Sequence, residues 1–156
     1  MDGAQRVAKQ LRELGANGEI REFPVPMPTA AAAAEQLGCD VGAIANSLVF
    51  AVDGEPLLVV ASGAHRVDTG LVAALLGVGK RKIRRASPEF VTEATGQVVG
   101  GVAPLGHEKP LRTLVDVRLE DYGVVWAGGG DKYTMFATDF AELVRITGGL
   151  AARVGG

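Results

Sequence analysis

The sequence predicts an α+β fold, a mixed sheet covered by short helices. Three observations point there. Asp53-Gly54 separates two apolar runs, Ser47–Val52 and Leu57–Ala61, and an Asp-Gly pair in that setting specifies a tight hairpin. Several helical stretches each open on a capping side chain and close on glycine. Strands occur both back to back and separated by helices, so the strict alternation of a doubly wound sheet is absent.

In order, Asp2 caps a first helix that carries Val7, Leu11 and Leu14 on one face and ends at Gly15. Ile20–Phe23 is a short strand, after which Pro24, Pro26 and Pro28 block regular structure. Thr29 caps an alanine helix over 30–37 that Gly38 stops, and its small face suits close packing on a sheet. Asp40 starts a short helical turn that runs to Ala45. The two arms of the hairpin are almost continuously apolar, as expected of a central sheet covered on both faces. Asp68 caps a helix over 69–76, with Leu71, Leu75 and Leu76 apolar and Gly77 as its stop. Ser87-Pro88 opens another, closed by Gly96, with serine as cap and proline at the first helical position. Val98-Val99 is expected as strand, followed by strands in 111–115, 123–127 and 133–137. Thr138 is the expected cap of a last helix, 139–147, with Phe140, Leu143, Val144 and Thr147 inward and Gly148 as its stop; Gly155-Gly156 is expected to fray.

At 156 residues the chain is the size of one domain, 1–156, with no internal repeat and no linker. Aromatic residues are 5% of the total, so the core is built from Val, Leu, Ile and Ala. A net charge of −2 argues against a bulk electrostatic grip on nucleic acid but leaves room for a local basic patch. Cys39 is the only cysteine, which rules out an internal disulfide and favours a reducing compartment. No apolar run reaches the ~20 residues of a membrane helix and the N-terminus has no signal-peptide pattern, so a cytoplasmic location is expected. His65, His107 and Cys39 show no metal-ligand spacing, and neither a Gly-x-Gly-x-x-Gly turn after the first strand nor a Gly-Lys-Ser/Thr loop is present; no metal and no cofactor are expected.

Gly100-Gly-Val-Ala-Pro-Leu-Gly-His107 is the segment with most chemical promise. Glycines let backbone approach a neighbour or a ligand closely, and Pro104 stiffens the loop. Such a segment serves equally as a tight turn between strands or as a pocket wall. Gly128-Gly129-Gly130 is a second loop of the same kind, and the two line one pocket if the strands before them are neighbours. Lys80, Arg81, Lys82, Arg84 and Arg85 place five of the sixteen basic residues within six positions, either as a charged sheet edge with Ile83 inward or as a phosphate-contacting patch.

Four segments together resemble the YbaK/ProX family of aminoacyl-tRNA deacylases, the domain also inserted for editing in bacterial prolyl-tRNA synthetases. They are Ile44–Phe50, Ser62–Asp68, Ala94–Gly96 with Gly100–Gly106, and Trp126–Gly130, in register over about residues 25–150. The resemblance implies a barrel-like mixed sheet wrapped by helices, and hydrolysis of the ester that joins a wrongly attached small amino acid to the terminal adenosine of tRNA. It implies that the Gly-x-x-x-Pro element, Gly100 to Pro104, shapes the amino-acid pocket, together with Ser47, Gly101, Gly106, Gly128, Gly129, Gly130 and Tyr133. Arg66 and the Lys80–Arg85 cluster would meet acceptor-stem phosphates. Partners implied are the tRNA acceptor end and an aminoacyl-tRNA synthetase, with no membrane.

The sequence departs from the family where its activity is centred. The family's lysine is Asn46 here, and a histidine often found after the last glycine loop aligns with Tyr133. Asparagine can donate a hydrogen bond to an oxyanion but brings no charge, and charge-assisted bonds are roughly twice as strong. Asn46 and His107 are the expected catalytic residues, His107 by orienting water or contacting tRNA. The alternative is a module that binds an aminoacyl-tRNA or an amino-acid-like ligand without cleaving it.

Overall fold

The computed structural model of the chain describes residues 2–156. Its helices are α1 (Gly3–Glu13), α2 (Ala30–Leu37), α3 (Thr69–Leu76), α4 (Pro88–Thr95) and α5 (Phe140–Thr147). Its strands are β1 (Arg21–Glu22), β2 (Ile44–Val52), β3 (Glu55–Ser62), β4 (Ile83–Arg85), β5 (Arg112–Asp116), β6 (Val125–Gly128), β7 (Thr134–Thr138) and β8 (Leu150–Ala152). They form one mixed sheet in the order β1-β7-β6-β2-β3-β5-β8, with β4 added on β2. The mixed α+β class expected from the sequence is the one observed.

Local chemistry explains most boundaries. Asp2 and Gln5 form a reciprocal capping box on α1. Thr29, Asp68 and Ser87 cap α2, α3 and α4, each of which ends on a left-handed glycine. Asp53 (φ 51°) and Gly54 (φ 86°) both sit in the left-handed region, as the two centre residues of a type I′ hairpin must, and they set the register Val52↔Glu55 through Ala45↔Ser62.

The sheet divides the core. One face, with Ala45, Val49, Leu58, Val60 and Val115, packs against α1 (Val7, Leu11), α4 (Val91) and α5 (Leu143, Ile146). On the other, Phe50, Leu57, Val59 and Leu114 pack against α3 (Val72, Ala73), and Ile44 packs against α2 (Ala33, Ala34).

Three expectations are corrected, and the buried face of α3 is assigned. Asp139, not Thr138, caps α5, by accepting the Glu142 N–H; Thr138 instead donates its hydroxyl to the buried Glu142 carboxylate, and Ile146 rather than Thr147 is buried. α3 buries Val72 and Ala73, leaving Leu75 44% exposed. Val98 and Val99 form no strand and are about half exposed, because the chain turns there (Gly101 N–H to Val98 O, 3.0 Å). The C-terminal residues do not fray as a pair: β8 pairs with β5, Val154 is fully buried and its carbonyl accepts from the Asp68 N–H, and Gly155 bridges Val67.

Candidate functional site

The site follows from how β2 is paired. One edge of β2 is covered by β3 along its length. On the opposite edge β6 covers only Ile44 and Ala45, and β4 only Phe50 to Val52. Between them the sheet has a gap over residues 46–48, bounded by Val49, whose carbonyl takes the Ala86 N–H. Side chains alternate across a strand, so Ser47 and Asn46 face opposite sides of the sheet. Because the sheet is open here, both nevertheless line one cavity of about 880 Å³.

Besides β2 itself and Met135 of β7, the walls come from five segments. Met27, Pro28, Thr29, Ala30 and Ala33 bring the proline run and the small face of α2. Gly100 and Val102 come from the first glycine loop and Gly128 from the second, so the two loops do meet at one cavity. A Cβ on Gly128 would lie 2.7 Å from the Val102 carbonyl oxygen, and one on Gly100, which sits at φ 89°, 3.3 Å from Pro28 Cβ. Arg85, Ala86, Pro88 and Val91 close the α4 side, and His65, Arg66, Val67 and Thr69 the α3 side.

The lining carries two guanidiniums, Arg66 and Arg85, one imidazole and no carboxylate. The Arg85 guanidinium lies over the Phe50 ring, 5.6 Å from its centroid and within the ~6 Å reach of a cation–π contact. Neither arginine is paired with a carboxylate among the described residues. A cavity of that charge suits an anionic ligand.

His65, weighed in the sequence as a metal ligand, lines the cavity instead. Its Nδ1 lies 3.0 Å from Asp116 Oδ2, an ion-pair distance, but off the line a hydrogen bond needs, so this buried nitrogen has no hydrogen-bond partner. Its Nε2 is 3.4 Å from Arg118 Nη1, and since a guanidinium only donates, that nitrogen accepts. Asp116 is fully buried and takes the Ser62 and Arg118 N–H groups, both at 3.0 Å. The Ser47 hydroxyl oxygen is likewise buried without a partner.

His107 is not among the lining residues. It is buried, and its Nε2 donates to the Ala103 carbonyl at 2.8 Å, since a carbonyl can only accept. Burial pushes the imidazole pKa below its ordinary value, against the pull of that hydrogen bond. The position expected to orient water is instead a brace for the glycine loop. Gln97, which the sequence reading passed over, is a second brace: it is buried, takes the Ala103 N–H at 2.8 Å and donates to the Leu105 carbonyl at 3.2 Å.

Of the other expected residues, Gly101 packs on Asp131 and Lys132, Gly106 on Val7, Gly129 on Thr134 and Gly130 on Gly3, in each case too closely for a Cβ. Pro104 is buried, and Tyr133 is 47% exposed outside the lining. Lys80, Arg81 and Lys82 form a 3₁₀ turn before β4, where Ile83 points inward, and Lys82 pairs with Asp53 at 3.6 Å. Arg84 is exposed on β4. Of the basic residues expected to meet tRNA, only Arg66 and Arg85 reach the cavity.

A model of the aminoacyl-tRNA editing domain matches residues 25–146. The chain belongs to the aminoacyl-tRNA editing domain family. Among curated proteins it is 32% identical over 115 residues to YwhH of Bacillus subtilis, itself uncharacterised, covering 73% of this chain and 71% of that one. It is 30% identical over 129 residues to the proline–tRNA ligase of Nitratidesulfovibrio vulgaris, covering 73% of this chain but only 22% of the ligase. Among solved structures, a protein proposed as a trans-editing enzyme for prolyl tRNA synthetase superposes with a TM-score of 0.91 at 36% identity, covering 100% of this chain and 98% of that one. Within this family the cavity at the β2 gap is the candidate editing pocket.

Among the described residues no helix is long and apolar enough to cross a membrane, and no group of three or more His, Cys, Asp and Glu side chains is placed to hold a metal ion.

Proposed function

We propose that the protein is an aminoacyl-tRNA deacylase acting in trans, which hydrolyses the ester of a small amino acid mischarged on tRNA. The observation that carries this reading is the meeting of Asn46, Gly100 and Gly128 at one cavity whose only charged side chains are cationic. Water adds to the ester carbonyl, the carbonyl electrons move onto oxygen, and collapse of that adduct breaks the bond to the ribose oxygen, which leaves with a proton. The Asn46 carboxamide offers a donor to the oxyanion, a contribution of about 10²–10³ in rate for one such donor. Gly100 and the small residues of α2 restrict the room for the amino-acid side chain. Arg66 and Arg85 meet phosphates next to the terminal adenosine. Likeness to proline–tRNA ligases makes tRNA for proline the first substrate to try and a prolyl-tRNA synthetase the first partner.

The second reading, a module that binds aminoacyl-tRNA without cleaving it, is favoured by one residue: Asn46 leaves the cavity without the family's lysine charge. Purified protein is assayed on tRNAs carrying Ala, Ser, Thr or Cys, with Asn46→Lys in parallel. Cleavage by the natural protein that falls on Asn46→Ala supports the deacylase. A natural protein inert on all of them, beside an active Asn46→Lys, overturns it and leaves the binding module.

A further inference from the structure

The gap in the sheet exposes main-chain groups as well as side chains, and their direction follows from the register. Even-numbered residues of β2 turn their N–H and C=O toward β3, as the bond from Gly63 N–H to Ile44 O shows. Odd-numbered residues turn theirs the other way: Val49 O accepts from Ala86 N–H, and Ala51 is paired with Arg84. By the same alternation the Ser47 N–H, the Ser47 C=O and the Val49 N–H all point into the gap. The bond from Ala86 to Val49 is not returned by a bond from the Val49 N–H to Ala86.

β6 runs parallel to β2 and, had it continued, its residue 130 would have given its N–H to Ser47 O and its C=O to the Val49 N–H. It does not continue. Gly130 swings to φ 107° and packs on Gly3. The place of one strand residue is thus left open inside the cavity.

We propose that the aminoacyl group of the ligand occupies this place, bound by main-chain pairing as the missing residue of β6. Its α-ammonium donates to Ser47 O, and its ester carbonyl accepts from the Val49 N–H. The aminoacyl head has the same amine, α-carbon and carbonyl order as a strand residue, so one residue's worth of parallel pairing recognises the part common to all amino acids. Its side chain then lies on the Leu48 face, where Met27, Ala30 and Ala33 form the wall, so selection among amino acids falls to Met27 and the two alanines. The Val49 N–H is a donor at the carbonyl that needs no charged side chain, which matters in a cavity where Asn46 has replaced lysine. This inference rests on the aminoacyl ligand of the proposed function but not on its cleavage.

The test uses 3′-deoxy-3′-(L-alanylamino)adenosine, which cannot be hydrolysed as an ester, and its propionyl counterpart, which lacks the amine. Binding is followed on the backbone amide resonances of the full chain. The Val49 amide is expected to shift downfield and saturate with the alanyl compound. Replacing Val49 by its α-hydroxy acid, which removes the N–H and keeps the side chain, is expected to weaken binding about 3–10-fold. The same replacement at Ala51, whose N–H already pairs with β4, is expected to lower stability without changing affinity. The propionyl compound is expected to bind at least about tenfold more weakly, because the bond it loses is charge-assisted. Undiminished affinity at the Val49 ester variant, or equal affinity for the two compounds, overturns the proposal. Failure of the two ideas is told apart by the deacylation assay. A protein that cleaves mischarged tRNA while Val49 is silent keeps the deacylase and loses this inference; one that binds through Val49 but never cleaves does the reverse. A protein that does neither loses both.

Discussion

Asp116→Ala is the perturbation whose size the structure fixes best. The carboxylate is fully buried at the end of β5 and accepts two main-chain N–H groups, from Ser62 and Arg118, each at 3.0 Å. Truncation orphans both donors and removes the group that sits 3.0 Å from His65 Nδ1. A buried orphan donor costs about 1–3 kcal/mol. The Ser62 N–H incurs that in full, being in a residue that is 1% exposed, whereas Arg118 lies where water can replace the lost acceptor. Relief from burying a carboxylate offsets part of the loss. The expected net destabilisation is about 1–3 kcal/mol, which for a chain of this length lowers Tm by roughly 2–12 °C. Asp116→Asn keeps one acceptor oxygen and is expected to fall between the two. Urea unfolding gives the difference directly, provided the slope m is unchanged. A double-mutant cycle with His65→Ala then isolates the His65 contact, with a coupling of about 0.5–3 kcal/mol expected for touching groups. A loss below about 1 kcal/mol in Asp116→Ala would refute the claim that this carboxylate organises the junction of β3, β5 and the His65 turn.

Other outcomes follow from single contacts. Gly128→Ala places a Cβ 2.7 Å from the Val102 carbonyl, so the two glycine loops must part; deacylation or probe binding is expected to fall at least about tenfold while the fold persists by circular dichroism. His107 has a folded-state pKa below its ordinary 6.5, so the unfolded chain takes up its proton first as pH falls. Its contribution is therefore complete above pH 6.5 and is lost below it, and His107→Gln, which keeps a donor for Ala103, is expected to flatten that part of a stability-against-pH curve. Arg66→Gln with Arg85→Gln is expected to reduce the salt dependence of tRNA binding measured by titration, more than neutralising Arg81 and Arg84 outside the cavity does.

What was legible in the sequence was what local chemistry decides. The hairpin at Asp53-Gly54, the caps at Thr29, Asp68 and Ser87, and the glycine stops need only neighbours in the chain, and each stands where its residues place it. Thr138 was a weaker case, because two capping residues stood side by side and Glu142 claimed the threonine hydroxyl. The cavity could be approached only from its glycine loops. Its cause, the early ends of β4 and β6 against β2, depends on strands more than thirty residues away and leaves no local signature. For the same reason His107, next in sequence to the glycine loop, looked closer to the chemistry than His65. Backbone direction turned His107 inward to Ala103, while the turn after β3 carried His65 to the cavity. The signal that was available for His65 lay in its segment, Ser62–Asp68, one of the four that carried the family resemblance.

The divided edge of β2 also has a consequence for how the molecule is made. β2 and β3 are contiguous and can pair as soon as both exist, but the outer edge of β2 stays bare until residues 83–85 and then 125–128 are available. For much of synthesis an apolar strand with an unpaired edge is therefore exposed, the kind of template that pairs with other chains. Closing it depends on contacts distant in sequence, which form slowly. In the finished molecule the middle of that edge remains open but lies within the cavity, between β4, β6 and the glycine loops. Folding thus leaves only the middle of that edge unpaired, and Asn46, Ser47 and Leu48 line the cavity there.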